Sequence, residues 1–388
     1  MKKIVIFGST GSIGTSLINI IKKDKKNFTI KLLTANTNYK KIIEQAKSLN
    51  VKNIIIINKV SFFNAEKILK KSNIKVYNDF NCLNKIFKNK KIDYTMSAIT
   101  GFYGLKPTLD IIKFTNVIAI ANKESIICGW NLIKDNLEKY NTKFIPIDSE
   151  HFSIWSLINS SNNNNNLDRI YLTASGGPFR KYPLYKFKNI TPKKALKHPN
   201  WQMGKKISID SATMMNKVFE IIEAKKIFNF KYNQLEILIH PQSYLHAIVK
   251  FNNGLTKLLI HDTNMTIPIF NSIYSEGFKK ILSKPLDINI LNNLSLEPID
   301  KRRFPIINII DRLTHKDSLF ETVIVSANDA LVNKFLKNEI KFLDISNILL
   351  KITKLKEFIR FKNIKPKNSE QVLKLADYVS LKIETMSV

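Results

Sequence analysis

Cysteine is nearly absent from this chain of 388 residues, which contains only Cys82 and Cys128. Two cysteines cannot form the disulfide framework of a small secreted domain, and they suit a reducing cytosol. Long hydrophobic runs are also lacking, since none reaches the roughly 18 apolar residues that a membrane span needs. No leader pattern precedes the strand-like residues 4–7. We therefore expect a bacterial cytoplasmic protein without a membrane partner, although a processed organelle protein would look the same.

Acidic residues are scarce relative to basic ones, because 31 Asp and Glu face 62 Lys and Arg, a formal net charge of +31. Such an excess can indicate nucleic-acid binding, but these lysines are spread along the chain rather than gathered in one stripe. We therefore expect no nucleic-acid partner and interpret the charge as solvated surface that favours phosphorylated ligands. A basic nucleic-acid-binding protein with a degenerate nucleotide fold stays an alternative, which salt-sensitive DNA or RNA binding would favour.

The first part of the chain predicts an α/β domain. With 44% hydrophobic residues the chain can bury a proper core. Strand patterns alternate with amphipathic segments up to about residue 150, which is the βαβ rhythm of a Rossmann-like, doubly wound parallel sheet. The predicted strands are residues 3–7, 28–33, 53–57, 75–77, 93–97, 117–121 and 143–147, with helical patterns at 13–22, 39–49 and 62–71.

The rest of the chain predicts two further regions. Strand patterns at 169–173, 235–240, 246–251 and 255–260, with a hairpin at Asn252-Asn253-Gly254, predict an α+β domain. Residues 162–166 are all asparagine and are interpreted as a surface loop. Helical patterns at 344–358 and 369–382 predict a C-terminal helical bundle. We expect domains at 1–148, 149–275 and 300–388, with 276–299 as a linker.

A glycine-rich loop follows the first predicted strand and opens a helix. Glycines permit a tight turn and a close backbone approach to a pyrophosphate, and the helix N-terminus offers free N–H groups to the anion. The spacing GxxGxxG is less specific than GxGxxG, so a plain glycine-rich turn is the alternative. We predict a dinucleotide site formed by Gly8, Ser9, Thr10, Gly11, Ser12, Ile13 and Gly14.

The end of the second predicted strand indicates which dinucleotide binds. An Asp or Glu there would hold the ribose 2′-hydroxyl of NAD. The chain instead reads TANTN at residues 34–38, followed closely by Lys40 and Lys41. Because no acid is present to repel a 2′-phosphate, we predict NADP(H).

Three carboxylates predict a metal site. Asp148 and Glu150 are two residues apart after an extended apolar run, so on a strand end they would face the same way. Glu220 lies on a helix that we expect to begin near Ser211. Oxygen ligands without Cys or clustered His suit Mg²⁺ or Mn²⁺ rather than structural Zn²⁺. A solvated loop ordinarily explains a lone Asp-x-Glu pair, but here other polar groups accompany it.

The helix expected near Ser211 carries further polar residues. Asn216, Lys217 and Glu220 would share one face, and the helix N-terminus near Ser211 could receive an anion. A capped surface helix with an ordinary Lys–Glu pair is the alternative. This mixture of groups predicts an anionic, hydroxylated substrate.

Two loops complete the predicted substrate site. SGGPF at residues 175–179 resembles a backbone cradle for an oxyanion or phosphate, with an ordinary β-turn as the alternative. HPNWQMG at residues 198–204 suggests a mobile lid whose indole, Trp201, can cover a ligand. His240 and His246 are interpreted as structural.

Together these residues resemble the 1-deoxy-D-xylulose 5-phosphate reductoisomerase family over nearly the whole chain. The resemblance rests on GSTGSIG at 8–14, ANKES at 121–125, PIDSEH at 146–151, SGGPF at 175–179, residues 198–220 and HPQS at 240–243. It implies conversion of 1-deoxy-D-xylulose 5-phosphate to 2-C-methyl-D-erythritol 4-phosphate in non-mevalonate isoprenoid biosynthesis. It also implies NADPH, a divalent metal, and a homodimer with nucleotide, catalytic and helical domains.

The resemblance implies roles for individual residues. The metal would be held by Asp148, Glu150 and Glu220, and Lys123 and His198 complete the catalytic set. Substrate contacts would come from Ser149, Ser175, His198, Trp201, Ser211, Asn216 and Lys217. Cofactor contacts beyond the glycine-rich loop would come from Asn36, Asn38, Asn122, Glu124 and Gly204.

The chain departs from the family pattern at three places. HDTNM at residues 261–265 stands where the family usually has Gly-x-Pro-Asp-Met, and VSAND at 325–329 replaces Asn-Ala-Ala-Asn-Glu. A basic residue often present near Thr37 is missing. A simple NADP-dependent dehydrogenase of another hydroxy or keto phosphate stays an alternative, which turnover without metal would favour.

Overall fold

The computed structural model describes residues 1–88, 90–159, 167–201, 203–274 and 279–386. The asparagine run at 162–166, predicted to be a surface loop, lies outside these ranges. The chain divides into two compact units. The first comprises Met1–Ser125, Asn131–Asp148 and Met265–Leu282, and the second Ile126–Trp130, Ser149–Asn264 and Ser283–Val388.

The strands and helices are numbered in chain order over the described residues. The strands are β1 (Lys2–Phe7), β2 (Phe28–Ala35), β3 (Asn53–Ile56), β4 (Lys75–Tyr77), β5 (Ile92–Ser97), β6 (Thr115–Ile120), β7 (Lys143–Pro146), β8 (Leu167–Ala174), β9 (Leu235–Ile239), β10 (Leu245–Phe251), β11 (Thr256–Ile260) and β12 (Glu297–Pro298). The helices are α1 (Ser12–Lys23), α2 (Tyr39–Ser48), α3 (Lys59–Leu69), α4 (Leu83–Phe87), α5 (Leu105–Ile112), α6 (Lys123–Tyr140), α7 (Ser149–Asn159), α8 (Pro192–Ala195), α9 (Lys205–Thr213), α10 (Met215–Phe228), α11 (Thr266–Ile273), α12 (Ile288–Asn292), α13 (Phe320–Leu336), α14 (Phe342–Ile352), α15 (Lys356–Ile359) and α16 (Ser369–Thr385).

The described part of the first unit contains a seven-stranded parallel sheet in the order β4-β3-β2-β1-β5-β6-β7. The predicted doubly wound domain is confirmed, with a strand at each of the seven predicted positions. Residues 4–7 of β1 are fully buried, as expected of a parallel strand covered on both faces. The strand order reverses between β1 and β5, and this reversal opens a crevice at their carboxyl ends.

Helices of the first unit are amphipathic and bury one face. Helix α1 buries Leu17, Ile18 and Ile21, which recur at helical spacing. Helix α11 is joined to this sheet although it lies far along the chain. The Tyr94 hydroxyl on β5 lies 2.7 Å from Ser272 Oγ on α11, and this hydrogen bond is buried.

The described strands of the second unit form a five-stranded mixed sheet in the order β11-β10-β8-β9-β12. Strands β8 and β9 are parallel and the other pairs are antiparallel. The predicted hairpin is confirmed, and its Gly254 adopts the left-handed φ of 84° that this turn requires. Strand β12 lies within the predicted linker, where two residues are too few to leave a period-two pattern.

Helices α13, α14 and α16 contribute most of the C-terminal helical region. Ser326 Oγ on α13 donates to the carbonyl of Ala376 on α16 at 2.5 Å, so these helices are hydrogen-bonded as well as packed. Helix α16 begins at Ser369 as predicted. The single helix predicted at 344–358 is wrong, because Leu355 takes an extended backbone (φ −68°, ψ 131°) that separates α14 from α15. None of the described helices is long and apolar enough to span a membrane.

Candidate active site

The glycine-rich loop connects β1 to α1 at the point where the strand order reverses. Gly8 has a left-handed φ of 74°, and a Cβ there would lie 2.5 Å from the carbonyl oxygen of Ala98. Only glycine therefore allows the end of β1 to pass this close to the residue that follows β5. The loop is held to β2 because Gly8 N donates to Thr34 Oγ1 and Ser9 N donates to the Thr34 carbonyl, both at 2.9 Å.

Helix α2 fixes the same loop through Lys41, which the sequence analysis named only as a neighbour of the cofactor stretch, and through Gln45, which it did not name. The buried Gln45 amide donates to the Ser9 carbonyl at 3.0 Å and accepts from Ser9 Oγ at 2.8 Å. Lys41 Nζ donates to the Thr10 carbonyl at 3.1 Å. Residues four apart share a helix face, so Lys41 and Gln45 act together. A detectable signal was present, since Gln45 is a polar residue beside the buried Ile42 and Ala46.

The predicted cofactor residues after β2 are exposed and lie between two helix starts. Asn36 and Asn38 are both exposed. Asn38 Oδ1 accepts from the backbone N–H of Lys41 at 3.2 Å and so caps α2. The Asn36 carbonyl accepts from the N–H of Asn58, which caps α3.

The start of α6 holds three further predicted residues. Asn122 caps this helix, because its Oδ1 accepts from Ser125 N at 2.5 Å and its amide donates to the Gly101 carbonyl at 2.8 Å. Lys123 and Glu124 are buried. Lys123 Nζ donates to Asp148 Oδ2 at 2.9 Å, so this lysine neutralises one of the three predicted metal ligands.

The three predicted carboxylates come together. One ligand oxygen from each of Asp148, Glu150 and Glu220 lies within 4.8 Å of the other two. The prediction that Asp148 and Glu150 share a strand end is wrong, because β7 ends at Pro146 and Glu150 lies in the first turn of α7. The chain thus changes from strand to helix between these acids, which a two-residue spacing does not reveal.

Three further polar residues, Ser149, His151 and Glu223, lie close to these carboxylates. Ser149 is buried, and its hydroxyl donates to Glu150 Oε2 at 2.5 Å. Ligand atoms of Asp148, His151 and Glu223 likewise lie within 4.8 Å of one another. His151 Nε2 lies 2.9 Å from the Glu220 carbonyl oxygen, and His151 is fully buried.

Lys217 on α10 is the buried cation of this cluster. Its Nζ donates to Glu150 Oε1 at 2.8 Å, to the Thr173 carbonyl at 2.5 Å, and to Glu220 Oε2. These three acceptors match the three N–H donors of an ammonium group. Asn216, one residue earlier, donates to the second oxygen of Glu220. The carbonyl of Thr173 on β8 was not predicted, since backbone acceptors carry no sequence signature.

Burial and neighbouring charge shift the pKa values of Glu150 and Lys217 in opposite directions. Burial alone would raise the pKa of Glu150, but the Lys217 ammonium outweighs burial and holds that pKa below its ordinary value. Burial alone would lower the pKa of Lys217, but Glu150 and then Glu220 outweigh it and raise that pKa. Both groups are therefore charged at neutral pH.

The prediction that a helix begins near Ser211 is wrong. Helix α9 ends at Thr213, Met214 takes a left-handed φ of 69°, and α10 begins at Met215. Ser211 therefore lies in the last turn of α9, where free carbonyl groups face outward, rather than at an anion-binding N-terminus. Its carbonyl accepts from the N–H of Met214 at 3.2 Å.

The loop at residues 175–177 is a tight turn packed against the end of α9. Gly176 and Gly177 both have left-handed φ values, 82° and 63°, and a Cβ on Gly177 would lie 2.9 Å from the Ser211 carbonyl oxygen. Gly177 N donates to Ser175 Oγ at 3.1 Å. The turn therefore holds the Ser175 hydroxyl against the backbone N–H of Gly177, and the predicted oxyanion cradle stays a prediction.

His198 connects this turn to the segment at 198–204. Its Nδ1 accepts from the N–H groups of Asn200 and Trp201 at 3.1 and 3.0 Å, so the ring proton is on Nε2. Nε2 lies 3.1 Å from Ser175 Oγ and donates to it. Burial lowers the pKa of His198 to about 4, so the ring is neutral at physiological pH. Since Ser175 Oγ accepts from both His198 and Gly177, its own proton can be donated to a ligand.

The segment at 198–204 is anchored by a residue that sequence reasoning did not single out. The Asn200 amide donates to the Pro241 carbonyl at 2.6 Å and to Ser243 Oγ at 2.9 Å. Trp201 is half-buried and meets His246 edge-on, with ring centroids 6.3 Å apart. Gly204 caps α9 with a φ of −64°, which any residue can adopt.

Two of the three departures from the family pattern, at residues 261–265 and 325–329, contact elements that bear predicted site residues. His261 stacks on His246 with ring centroids 3.7 Å apart, next to Trp201. On α13, Asn328 donates to Asp210 Oδ1 at 2.8 Å, and Asp210 lies on α9. These contacts explain how a change outside the predicted ligands can affect α9 and Trp201.

The fold and site define a class of protein, an α/β oxidoreductase that combines a dinucleotide-binding sheet with a carboxylate cluster suited to a hard divalent cation. Family models described as 1-deoxy-D-xylulose 5-phosphate reductoisomerase, its C-terminal domain, and the DXP reductoisomerase C-terminal domain match residues 4–129, 144–228 and 261–380.

Similar proteins carry the same name. A 1-deoxy-D-xylulose 5-phosphate reductoisomerase of Pelagibacter ubique is 68% identical over 389 residues, with 100% of each chain covered. One from Wolbachia pipientis is 37% identical over 352 residues, covering 90% of this chain and 89% of the relative. This chain belongs to the 1-deoxy-D-xylulose 5-phosphate reductoisomerase family.

Two solved structures of reductoisomerases match the fold of this chain over nearly its full length. The Zymomonas mobilis reductoisomerase in complex with NADPH has a TM-score of 0.89 and 31% identity, covering 99% of this chain and 98% of that one. A DOX-P reductoisomerase in complex with NADPH, fosmidomycin and magnesium has a TM-score of 0.88 and 27% identity, with 100% of both chains covered.

Proposed function

We propose that this chain catalyses the NADPH- and divalent-metal-dependent conversion of 1-deoxy-D-xylulose 5-phosphate to 2-C-methyl-D-erythritol 4-phosphate. The observation that carries the proposal is the buried Lys217 bridging Glu150 and Glu220, with Asp148 beside them, in a chain of this family. The relative bound to NADPH, fosmidomycin and magnesium supports both cofactors and a phosphate-bearing substrate. The activity serves isoprenoid precursor biosynthesis.

Asp148, Glu150 and Glu220 fit a hard divalent cation, because their ligand atoms are oxygens within 4.8 Å of one another. Such a cation, Mg²⁺ or Mn²⁺, polarises a substrate carbonyl and neutralises developing oxyanion charge when bound. The lowered pKa of Glu150 keeps this ligand ionised at neutral pH. Glu220 is fully buried and oriented from both sides, because Asn216 and Lys217 each donate to one of its oxygens.

The proposed phosphate site is formed by neutral donors. Ser175 offers its hydroxyl proton because its oxygen already accepts from Gly177 N and from His198. The neutral ring of His198 holds this hydroxyl in place and adds no charge of its own. Trp201, held beside His246, covers the substrate and excludes water. Ser149, Ser211, Asn216 and Lys217 complete the proposed substrate contacts.

Lys217 has two roles in this proposal. In the present arrangement all three of its N–H donors go to Glu150, Glu220 and the Thr173 carbonyl. Binding of a substrate anion by Lys217 therefore requires it to give up at least one of these acceptors. If Asp148, Glu150 and Glu220 held a divalent cation, these carboxylates would no longer need the Lys217 ammonium for neutralisation, and Lys217 would give up an acceptor more easily.

The reaction rearranges the substrate's carbon skeleton and then reduces the resulting aldehyde, for which bound NADPH supplies the hydride. The glycine-rich loop and residues Asn36, Asn38, Asn122, Glu124 and Gly204 make the proposed cofactor contacts. We assign Lys123, which pairs with Asp148, a position near the reacting carbon and the nicotinamide. In domain terms, residues 1–148 bind NADPH, 149–275 bind metal and substrate, 276–299 link, and 300–388 form the helical domain.

The proposal extends to assembly and location, a homodimer in the bacterial cytoplasm. Support comes from the family resemblance and from bacterial relatives such as that of Pelagibacter ubique. Light scattering of the purified protein tests the dimer, and a monomer at micromolar concentration would contradict it.

The decisive experiment follows NADPH absorbance in the presence of 1-deoxy-D-xylulose 5-phosphate, with Mg²⁺ or Mn²⁺ and then with excess chelator. We expect metal-dependent oxidation that is abolished by Asp148→Asn. Glu236→Gln is the matched control, because Glu236 is half-exposed on β9 and pairs with Arg169 at the surface. Turnover that persists in chelator would contradict the proposal and favour a simple dehydrogenase. A folded protein that binds NADPH without turnover under any metal would indicate another substrate.

A further inference from the structure

The glycine-rich loop has a cation fixed beside it. Lys41 Nζ donates to the carbonyl of Thr10, in the middle of the loop, at 3.1 Å. Lys41 is half-buried, and one turn further along α2 the buried Gln45 holds Ser9 of the same loop. The carbonyl of Thr10 engages one N–H of the ammonium group. The two remaining N–H donors of Lys41 are suited to a phosphate.

The stretch that leads from β2 to Lys41 carries no acidic residue, and the nearest acid along α2, Glu44, is exposed. Residues 34–41 read TANTNYKK and contain no Asp or Glu. The carbonyls of Asn36 and Thr37 accept from Asn58 N at 3.2 Å and Ser61 Oγ at 2.9 Å, so both acceptors are engaged with the start of α3. In doubly wound folds the adenosine ribose lies at the end of the second strand. A 2′-phosphate on that ribose meets this acid-free stretch.

We propose that Lys41 recognises the 2′-phosphate of NADPH and sets the preference of this chain for NADPH over NADH. The proposal rests on the proposed function, since it takes the glycine-rich loop as the cofactor site, and it names the residue that supplies the charge missing near Thr37. Lys41 is held by Thr10, so little side-chain freedom is lost when the phosphate binds. A lysine ammonium is a strong point-charge partner for phosphate.

The test measures equilibrium binding to the intact protein without the sugar phosphate, so it does not depend on turnover. The probes are NADPH, NADH, 2′,5′-ADP and 5′-AMP. Binding of NADPH and NADH is followed by nicotinamide fluorescence, and binding of 2′,5′-ADP and 5′-AMP by displacement of bound NADPH. We expect Lys41→Gln to weaken NADPH and 2′,5′-ADP by about 10- to 100-fold, as loss of a charge-assisted phosphate contact implies. Binding of NADH and 5′-AMP should change less than about twofold. Lys41→Arg should keep most of the preference, and it remains informative if Lys41→Gln does not fold.

Two neighbouring lysines provide matched controls. Lys40 is exposed and adjacent in sequence, and Lys59 is exposed at the start of α3. Lys40→Gln and Lys59→Gln should leave the ratio of NADPH to NADH affinity nearly unchanged. The assignment is overturned if Lys59→Gln removes the preference instead, or if the wild type does not discriminate between the two cofactors. It is also overturned if Lys41→Gln weakens all four probes equally, because that result would mean Lys41 only supports the loop.

Failure of this proposal and failure of the proposed function give different results. If the substrate assignment is wrong, NADPH discrimination by Lys41 is still observed while turnover with 1-deoxy-D-xylulose 5-phosphate is absent. If Lys41 is not the 2′-phosphate partner, turnover is present and the Lys41→Gln protein retains its preference for NADPH.

Discussion

The glycine-rich loop and the carboxylate cluster are both proposed binding sites for charged ligands, a pyrophosphate and a divalent cation, but they are built in opposite ways. The loop uses backbone geometry, with Gly8 in a left-handed conformation that no other residue adopts easily in that space. The cluster uses buried side-chain charge, with Lys217 between Glu150 and Glu220. A backbone site fails when a side chain is added, whereas a charge site fails when a partner is removed. The two regions therefore respond to different substitutions.

The largest effect is expected from Lys217→Met, which leaves two buried carboxylates without their cation. Glu220 is fully buried, and the Glu150 side chain is only 14% exposed. Removing one partner of a buried ion pair typically costs about 3–5 kcal/mol of stability. We expect a loss of this size in the metal-free protein by urea unfolding. Added Mg²⁺ or Mn²⁺ should recover part of it, because a cation can replace the lost charge.

Lys250→Met is the matched control for that experiment. Lys250 pairs with Asp168 at 3.1 Å, but both side chains are well exposed, at 47% and 38%. Exposed pairs contribute about 0–1 kcal/mol, so this variant should stay close to wild type. Equal, small losses in the two variants would show that the buried cluster does not depend on Lys217.

The next largest effect is expected from Gly8→Ala in the loop. An alanine in a left-handed conformation costs about 1–2 kcal/mol, and its Cβ would also lie 2.5 Å from the Ala98 carbonyl oxygen. We expect loss of NADPH binding by fluorescence titration, with divalent-metal binding to the carboxylate cluster unchanged by calorimetry. Gly254→Ala is the control, because Gly254 has a φ of 84° but open space around its Cβ. Comparable damage from both substitutions would mean that the approach to Ala98 is unimportant.

A fall in pH should act on the segment that bears His198 and leave the glycine-rich loop unaffected. Burial lowers the pKa of His198 to about 4, whereas an unfolded histidine titrates near 6.5. Below pH 6.5 the unfolded chain therefore takes up a proton that the folded protein refuses until about pH 4. The stability from the neutral ring is present above pH 6.5 and is lost as pH falls through this window.

The substitution His198→Asn isolates this contribution. We expect a shallower decline of unfolding free energy between pH 6.5 and 4 than in the wild type, measured by denaturant titration at several pH values. Above pH 7 the two proteins should show the same dependence of unfolding free energy on pH, because His198 of the wild type is then neutral in both the folded and the unfolded state. An unchanged slope below pH 6.5 would show that other groups account for the acid sensitivity.

Features that depend on neighbouring residues in the sequence were predicted better than features that depend on backbone conformation. The parallel sheet was found from alternating patterns because buried parallel strands leave continuous apolar runs such as residues 4–7. The glycine-rich loop was found for a related reason, since its geometry depends on residue types that stand next to one another. Helix ends were less predictable. The backbone conformations of Met214 and Leu355 end a helix, although Met and Leu ordinarily favour helix.

The site itself was predictable in its residue types but not in its connections. Asp148, Glu150 and Glu220 were predicted as one group from their chemistry. Nothing in the spacing showed that Lys217 would bridge two of them, because that contact depends on how α7, α10 and β8 pack. The contacts of Lys41 and Gln45 with the glycine-rich loop were not predicted, since their partners are backbone carbonyls of a loop about 30 residues earlier in the chain.

The smallest effect is expected from Asn200→Ala, which loosens the segment bearing Trp201 without touching either region's central contacts. Asn200 is exposed, and its amide donates to the Pro241 carbonyl and Ser243 Oγ. Loss of these bonds should cost no more than about 0.5–1.5 kcal/mol of stability. Because the anchor orders the segment before substrate arrives, we expect KM for the sugar phosphate to rise a few-fold with kcat little changed. Asn200→Asp keeps the acceptor geometry but loses the donor, so it should behave like alanine. If Asn200→Ala lowers kcat and leaves KM unchanged, the segment acts on the chemical step rather than on substrate binding. The comparison of the glycine-rich loop with the carboxylate cluster would then have to include this segment as a third part of the active site.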